Sequence, residues 1–356
     1  VDGVPTTVIP KVKHRAIVCP STHVALLEML GAEQQLAGSE YQLMRLKVDG
    51  TPTIAEWIGQ QCEAGSEVGI DGTVSSYAET EALKAELRHQ GGMTLRLNLD
   101  PLARIWNDRP AIPQHKIELQ PLEFAGETTA SKLDRIRQAL RRQHCDGMLM
   151  SALDDIAWTL NMRGTDVHCN PVFVSYLVIE HEKTILFVDN DKLTSEVSAY
   201  LAMLSIKVLP YNEVGKYLKR DYFAYNILLD PNETNSYLVA CAKEGRAAVV
   251  LTTSPIPEMK AVKNETEIQG FHNAMKRDGV AMVKFLKWLI PAVKAGHETE
   301  ISLDKKMTYL RSQQPLFRDS SFDTIVGYEH HGAIVHYEAT PETDITIEPH
   351  GFVLID

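Results

Sequence analysis

Asp146-Gly-Met-Leu-Met150 runs directly into Ser151-Ala-Leu-Asp-Asp-Ile-Ala-Trp158, and Pro171-Val-Phe-Val-Ser-Tyr-Leu-Val-Ile179 and Thr184-Ile-Leu-Phe-Val188 follow shortly after. The first run is short and apolar, as a buried strand is, and the second reads as a short helix. The last two are rich in β-branched and aromatic residues. The polar His181-Glu-Lys183 lies between them, which is the pattern of a hairpin. Leu193 to Leu204 is again helical, and Ile206 to Leu209 is a strand. Upstream, Lys132 to Gln143 sets Leu133, Ile136 and Leu140 at helical spacing. Helices and strands that alternate in this way specify an α/β domain, which ends near Pro257.

Toward the N-terminus, Trp106-Asn-Asp-Arg-Pro110 followed by Pro113 is a breaker cluster, so a linker is expected over 107–122. Ahead of it, Tyr77 to Arg88 fits a helix ended by Gly91-Gly92, and Val68-Gly-Ile-Asp71 is a short strand. A further helix opens at Thr51-Pro-Thr-Ile-Ala-Glu-Trp57, with Thr51 as N-cap and Pro52 at the first helical position. Residues 1–36 form an atypical front. There Arg15-Ala-Ile-Val-Cys19 reads as a strand and His23 to Leu30 as a helix stopped by Gly31.

Toward the C-terminus a long helix is expected. Asn264 lies three residues before Glu267 in capping-box spacing, and Ile268, Phe271, Met275, Met282, Phe285 and Leu289 form an apolar stripe as far as Pro291. A second helix covers roughly Glu300 to Arg311. Three strands are then expected at Phe322–Val326, Ala333–Tyr337 and Phe352–Asp356.

The 356 residues are 44% hydrophobic and 23% charged. Their mean hydropathy is −0.17 and the pI is near 5.7. This is the composition of a globular chain of two or three domains. A net charge of −11 argues against a nucleic-acid or membrane-surface binder, which would present a basic face. No apolar run reaches the roughly 18 residues of a membrane span. The five cysteines, Cys19, Cys62, Cys145, Cys169 and Cys241, are scattered and form no CxxC pair. That pattern fits a reducing cytoplasm better than a disulfide framework or a structural zinc site. The chain opens on Val1 rather than Met, so a start further upstream is an expectation.

Two residues stand out for chemistry. His336 ends the apolar Gly332-Ala-Ile-Val-His-Tyr337. There an imidazole can shuttle protons or hydrogen-bond a substrate carbonyl, or it can be a satisfied core histidine. Asp356 ends Phe352-Val-Leu-Ile and shares a face with Leu354 and Phe352 by strand alternation. A carboxylate there must be paired, hydrogen-bonded or metal-bound. Arg163-Gly-Thr-Asp166 reads as a structural turn in which Arg163 pairs with Asp166. His330 and His331 read as solvated loop residues, and Lys260 to Glu267 as a solvated helix start.

A run of ordered blocks resembles the three-domain Xaa-Pro aminopeptidases. Among them are Gly50-Thr-Pro-Thr-Ile-Ala-Glu-Trp57, Ile105-Trp-Asn-Asp-Arg-Pro110, Asn161-Met-Arg-Gly-Thr-Asp166, Asn170-Pro-Val-Phe173, Lys263-Asn-Glu-Thr-Glu267, Ser321-Phe-Asp-Thr-Ile325 and Gly332-Ala-Ile-Val-His-Tyr337. The resemblance covers about 37–356. It implies an α/β fold of two creatinase-like domains, at 37–122 and 123–258, followed by an incomplete pita-bread catalytic domain at 259–356. It implies hydrolysis of the bond before a proline in second position of a peptide, with two divalent ions, usually Mn, held by two Asp, one His and two Glu. His336 falls on the family's substrate-contacting, proton-assisting histidine, and Asp356 on its first metal-ligand aspartate. The other four ligands would lie beyond Asp356, so the chain as given is expected to bind no metal and to be inactive. A cytoplasmic location and a homodimer are further expectations from the resemblance. Residues 1–36 instead weakly resemble a periplasmic substrate-binding protein. Two other readings stay open: a non-catalytic binding or dimerisation module, and another pita-bread hydrolase such as a prolidase-type dipeptidase or a creatinase.

Overall fold

Thr53 starts the first helix, α1 (Ile54–Gln61), by a reciprocal pair of bonds: its Oγ accepts from the Glu56 amide at 3.2 Å, and the Glu56 carboxylate accepts from the Thr53 amide at 2.8 Å. The expected cap, Thr51, is displaced because only Thr53 has a Glu three residues on to close a capping box. The structure is a computed structural model and describes residues 44, 48–334 and 337–356. The expected strand at Arg15–Cys19, the helix at His23–Leu30 and the side chain of His336 lie outside the described residues. The described residues divide into two compact units, one comprising 48–167 and 171–264, the other 168–170 and 265–356.

In the first unit, β1 (Glu67–Gly69), α2 (Tyr77–His89) and β2 (Thr94–Arg96) form a strand–helix–strand step with parallel strands. Ala55, Ile58, Val68, Leu87 and Met93 pack a small core beneath it. The chain then runs without regular structure to β3 (Glu118–Leu119), and Ile117 is already fully buried in the next core. That core is built on α3 (Thr129–Arg142), β4 (Gly147–Met150), α4 (Leu153–Leu160) and β5 (Met162–Arg163), with β5 antiparallel to β3. It continues through β6 (Tyr176–Glu180), β7 (Thr184–Phe187), α5 (Ser195–Met203), β8 (Ile206–Leu209), β9 (Asn226–Leu229), α6 (Ser236–Glu244), β10 (Ala248–Leu251) and α7 (Ile256–Ala261).

Six of these strands form one sheet in the order β10-β9-β4-β6-β7-β8. The β6–β7 hairpin is antiparallel, as expected, and the outer pairs β9–β10 and β7–β8 are parallel. Alternation sorts the side chains into two cores. Met148, Met150, Leu177, Ile179, Leu186 and Leu228 face α3, α4 and α5. Leu149, Val178, Ile185, Phe187, Ile227 and Leu229 face α6 and the turn at 214–222. Strands covered on both faces must be apolar at every position, which is why β4 reads as a continuous apolar run.

The polar groups of this unit are also buried in pairs. Lys192 and Asp166, both with fully buried side chains, form an ion pair, and Asp166 also accepts from the Val174 amide at 2.7 Å. Arg163 donates to the carbonyls of Ala157 and Met162, so the expected Arg163–Asp166 turn is replaced. Asp166 sits where a buried lysine reaches it, a contact 26 residues away that no local reading can supply.

The second unit opens with α8 (Glu265–Ala295), 31 residues and about 46 Å long. The helix does not stop at Pro291, which lies inside it one turn from the end. Only the last turn follows, so the ring removes one hydrogen bond without breaking the axis. The expected stripe is buried only in its second half. Ala281 and Phe285, with Met282, Trp288 and Leu289 beside them, pack against Leu303 and Met307 of α9 (Glu300–Ser312). Ile268, Phe271 and Met275 are 39%, 59% and 67% exposed, because α9 and the strands after it reach only the later turns. The strands β11 (Val326–Tyr328) and β12 (Val353–Ile355) pair antiparallel. The strand expected at Ala333–Tyr337 is replaced at its start by a 3₁₀ turn over Glu329–Ala333. That turn folds back so tightly that a Cβ on Gly327 would lie 2.8 Å from the Gly332 nitrogen.

Candidate active site

The segment from Glu329 to Tyr337 carries His336 and is held by a buried carboxylate. Thr299 caps α9, and Glu300, the first residue of the helix, is fully buried. A buried carboxylate needs donors, and the helix N-terminus favours its charge. Three groups supply the donors. The Tyr328 amide gives 2.7 Å, the His331 Nδ1 2.9 and 3.0 Å, and the Tyr337 hydroxyl 2.9 Å. Glu300 thus fastens the end of β11, the 3₁₀ turn and the residue after His336. Burial, together with the Glu300 charge, pushes the Tyr337 hydroxyl up. The His331 side chain is only 12% exposed, so it is a fixed member of this network and not a solvated loop residue. His330, its neighbour, is exposed as expected.

The turn is tied from the other side as well. Glu329 exchanges bonds with Phe352: its amide donates to the Phe352 carbonyl at 2.9 Å, and its carboxylate accepts from the Phe352 amide at 3.1 Å. Gly351 has φ +81°, and a Cβ there would lie 1.5 Å from the Glu329 carboxylate, so only glycine fits. Asp356 follows β12, and its backbone pairs in both directions with Ile325 at 2.9 and 3.1 Å. Its side chain shares the exposed face with Phe352 and Leu354, as the alternation predicted. That carboxylate is open to solvent rather than enclosed.

In the first unit a second set of charged groups gathers at the carboxyl ends of β4 and β9. Lys260 bonds to Asp154 and, at 2.6 Å, to Asp155, so it is held within a cluster and not on a solvated helix start. Burial raises Asp154, but the hydrogen bond and charge of Lys260 outweigh it and hold the carboxyl below its usual range. Asp155 is almost fully buried, and burial leaves its carboxyl raised despite Lys260. Glu233 is pushed up to about 7, first by burial and then by the charges of Asp155, Asp230 and Asp154.

Among the described residues, one group of three side chains has metal-ligand atoms close together: His168, Cys169 and Asp323. Asp356 is not in it. Sequence reading missed Glu300, His331 and this trio. A carboxylate in a first helical turn looks like any other helix-start acid, and Asp323 lies 155 residues from His168.

Residues 108–267 match the model of the creatinase/prolidase N-terminal domain, and residues 269–356 match that of metallopeptidase family M24. The Xaa-Pro aminopeptidase 1 of Dictyostelium discoideum is 35% identical over 92% of this chain and 53% of its own length. The aminopeptidase P2 of Arabidopsis thaliana is 34% identical over 92% of this chain and 50% of its own. The chain therefore spans about half the length of the curated relatives it matches. The crystal structure of an X-prolyl aminopeptidase from Caenorhabditis elegans, described as a cytosolic enzyme with a di-nuclear active site, superposes with a TM-score of 0.86. It is 27% identical and covers 98% of this chain and 57% of that one. A Xaa-Pro dipeptidase from Bacillus anthracis, 19% identical with a TM-score of 0.51 over 64% of this chain and 60% of its own, shares the fold. The fold is a creatinase-like N-terminal domain followed by the pita-bread domain, and it is residues 269–356 that match metallopeptidase family M24.

Proposed function

We propose that the protein is a metal-dependent aminopeptidase that removes an N-terminal residue standing before proline. The observation that carries this is the 0.86 superposition on the C. elegans X-prolyl aminopeptidase, supported by relatives of that activity at 34–35% identity. Residues 37–122 and 123–258 are proposed as two creatinase-like domains, and 259–356 as the front of the catalytic domain. The partner is a peptide with proline second. A cytosolic location follows the C. elegans neighbour, and a homodimer follows the family resemblance. No described helix is long and apolar enough to cross a membrane.

His336 is proposed as the histidine that contacts substrate and moves a proton, and Asp356 as a metal ligand. Two divalent ions, manganese among them, suit the activity, but the described donors do not make a di-nuclear site. Asp356 is one solvated carboxylate, Glu300 is already taken by three donors, and the remaining cluster contains a thiol. Hard ions of the manganese type need several oxygen or imidazole ligands, so no catalytic step is assigned to the ions. What this chain's own residues do is hold the stretches that flank His336 in sequence. Glu300 holds Tyr337 on one side of it and the 329–333 turn on the other.

A binding module without catalysis is the second reading. To decide, the whole reading frame that carries these residues is expressed, supplied with Mn²⁺, and given an Xaa-Pro-peptide, an Xaa-Pro dipeptide and creatine. Release of the first residue from the longer peptide is expected, with His336→Ala lowering turnover by about 100-fold or more, the usual worth of a proton-transferring group. Turnover confined to the dipeptide or to creatine assigns another branch of the family. No bound metal and no turnover supports the module.

A further inference from the structure

His168 and Cys169 are consecutive, and both belong to the second unit with Asp323. Cys169 has φ 56°, in the left-handed region that a non-glycine residue rarely adopts. Its Sγ lies 3.4 Å from the Nε2 of His168. The same nitrogen lies 2.8 and 3.0 Å from the two carboxylate oxygens of Asp323. Nitrogen, sulfur and oxygen donors therefore converge on one place. An imidazole nitrogen carries at most one proton, and here that nitrogen faces the carboxylate and the sulfur together.

Around tetrahedral zinc, bonds of about 2.0–2.3 Å set neighbouring ligand atoms roughly 3.3–3.6 Å apart. The nitrogen–sulfur spacing already lies in that range. The nitrogen–oxygen spacing needs to open by a few tenths of an ångström. The His168 and Asp323 side chains are 72% and 62% exposed, so an ion can enter and a water can fill a fourth position. We infer that His168, Cys169 and Asp323 form an open three-ligand site for one divalent transition ion of the zinc type. The thiol selects against manganese, magnesium and calcium, which prefer oxygen donors. Burial, and then the charges of Asp323 and Asp319, push the Cys169 thiol up, so the bare site holds a neutral sulfur in an acidic setting. A divalent ion reverses that balance and draws the thiolate into its shell. The bound ion would clip the 168–170 loop to the segment ahead of β11.

This site shares no residue with the proposed hydrolytic site and does not rest on that reading. The test uses the 356-residue chain, reduced and stripped with chelator, titrated with Co²⁺ as a visible stand-in and then with Zn²⁺. The expected result is a thiolate-to-cobalt charge-transfer band that saturates at one ion per chain and disappears when Zn²⁺ displaces the cobalt. Cys169→Ser should abolish the band, and His168→Ala and Asp323→Asn should each weaken binding by at least about tenfold, the scale on which altered ligand environments act. Asp356→Asn should leave it unchanged. Unchanged circular dichroism of the variants will show that they are folded. Cobalt bound without a thiolate band, or a band that persists in Cys169→Ser, would overturn the inference.

Discussion

Replacing Glu233 by Gln is expected to stabilise the first unit above neutral pH and to do little in acid. Glu233 lies between β9 and α6, near Asp154, Asp155 and Asp230, with Lys260 as the opposing cation. Its carboxyl is raised from 4.5 to about 7, chiefly by burial and then by its acidic neighbours. Between those two values the folded state keeps a proton that the unfolded state has lost. Stability therefore falls as pH rises from about 4.5 to about 7, and the full cost is present above 7. At about 1.4 kcal/mol for each tenfold change in proton affinity, the rise is worth at most about 3.4 kcal/mol. Glu233 is only partly buried, and screening by solvent brings the figure to about 1–2 kcal/mol. Glutamine keeps the shape and cannot ionise. The assay is native-state amide exchange of β9 and β10 in both proteins at several pH values, with urea unfolding beside it. Glu233→Gln should gain about 1–2 kcal/mol at pH 8, and the gain should shrink to a few tenths as the pH approaches 4.5. An equal effect at both ends of the range would mean that packing, not charge, is responsible. A loss at pH 8 would mean that Glu233 is ionised and held by Lys260, and the electrostatic reading would be wrong.

Lys192→Met should cost about 3–5 kcal/mol in urea unfolding, because it leaves Asp166 charged in a fully buried position. Adding Asp166→Asn should recover a large part of that loss. Gly327→Ala should cost about 1–3 kcal/mol, since its Cβ would meet the Gly332 backbone at 2.8 Å and the neighbour is not a flexible side chain. Glu300→Ala should cost about 2–4 kcal/mol, because the Tyr328 amide, His331 and the Tyr337 hydroxyl all lose their acceptor. Thermal unfolding of the second unit, followed through Trp288, measures the last two.

Where a signal lies within a few residues, the sequence was readable. Three central strands of the sheet, β4, β6 and β7, are visible as short apolar runs because they are almost wholly buried, and the β6–β7 hairpin is visible because its two strands are separated by three polar residues, whereas β9 and β10 were not read. Alternation at 352–356 correctly set Phe352, Leu354 and Asp356 on one face. Helix ends were less readable. Thr51 and Thr53 are chemically the same cap, and only the Glu three residues after Thr53 distinguishes them. Pro291 signals a stop only where hydrogen bonds beyond it must continue for several turns, and here one turn remains. The apolar stripe of α8 predicted a helix correctly but overestimated its burial. Periodicity reports which residues share a face, and it does not report how far along the helix a partner extends.

The site was harder to read because its organising contacts join distant residues. Glu300 is unremarkable in sequence, a helix-start acid after Thr299, and nothing local distinguishes it from Glu265 at the start of α8. What makes it different is that the 329–337 segment closes over it. Once Tyr328, His331 and Tyr337 all point donors at one carboxylate, removing the acid leaves three unsatisfied groups and loosens both flanks of His336 together. The glycines serve the same purpose. Gly327 lets the turn come back onto β11, and Gly351 makes room for the Glu329 carboxylate to reach Phe352. A side chain at either position would push the 329–333 turn away from Glu300. The acid, the two glycines and the pair of tyrosines therefore act as one device, and a change at any of them should appear first as a shift in the titration of Tyr337. Its hydroxyl is held up by burial and by the Glu300 charge, so Glu300→Gln should let the phenol titrate at lower pH while leaving β4–β10 amide exchange in the first unit untouched. A Tyr337 titration that does not move in Glu300→Gln would show that burial alone raises it, and the carboxylate would then have no electrostatic hold on the segment that carries His336.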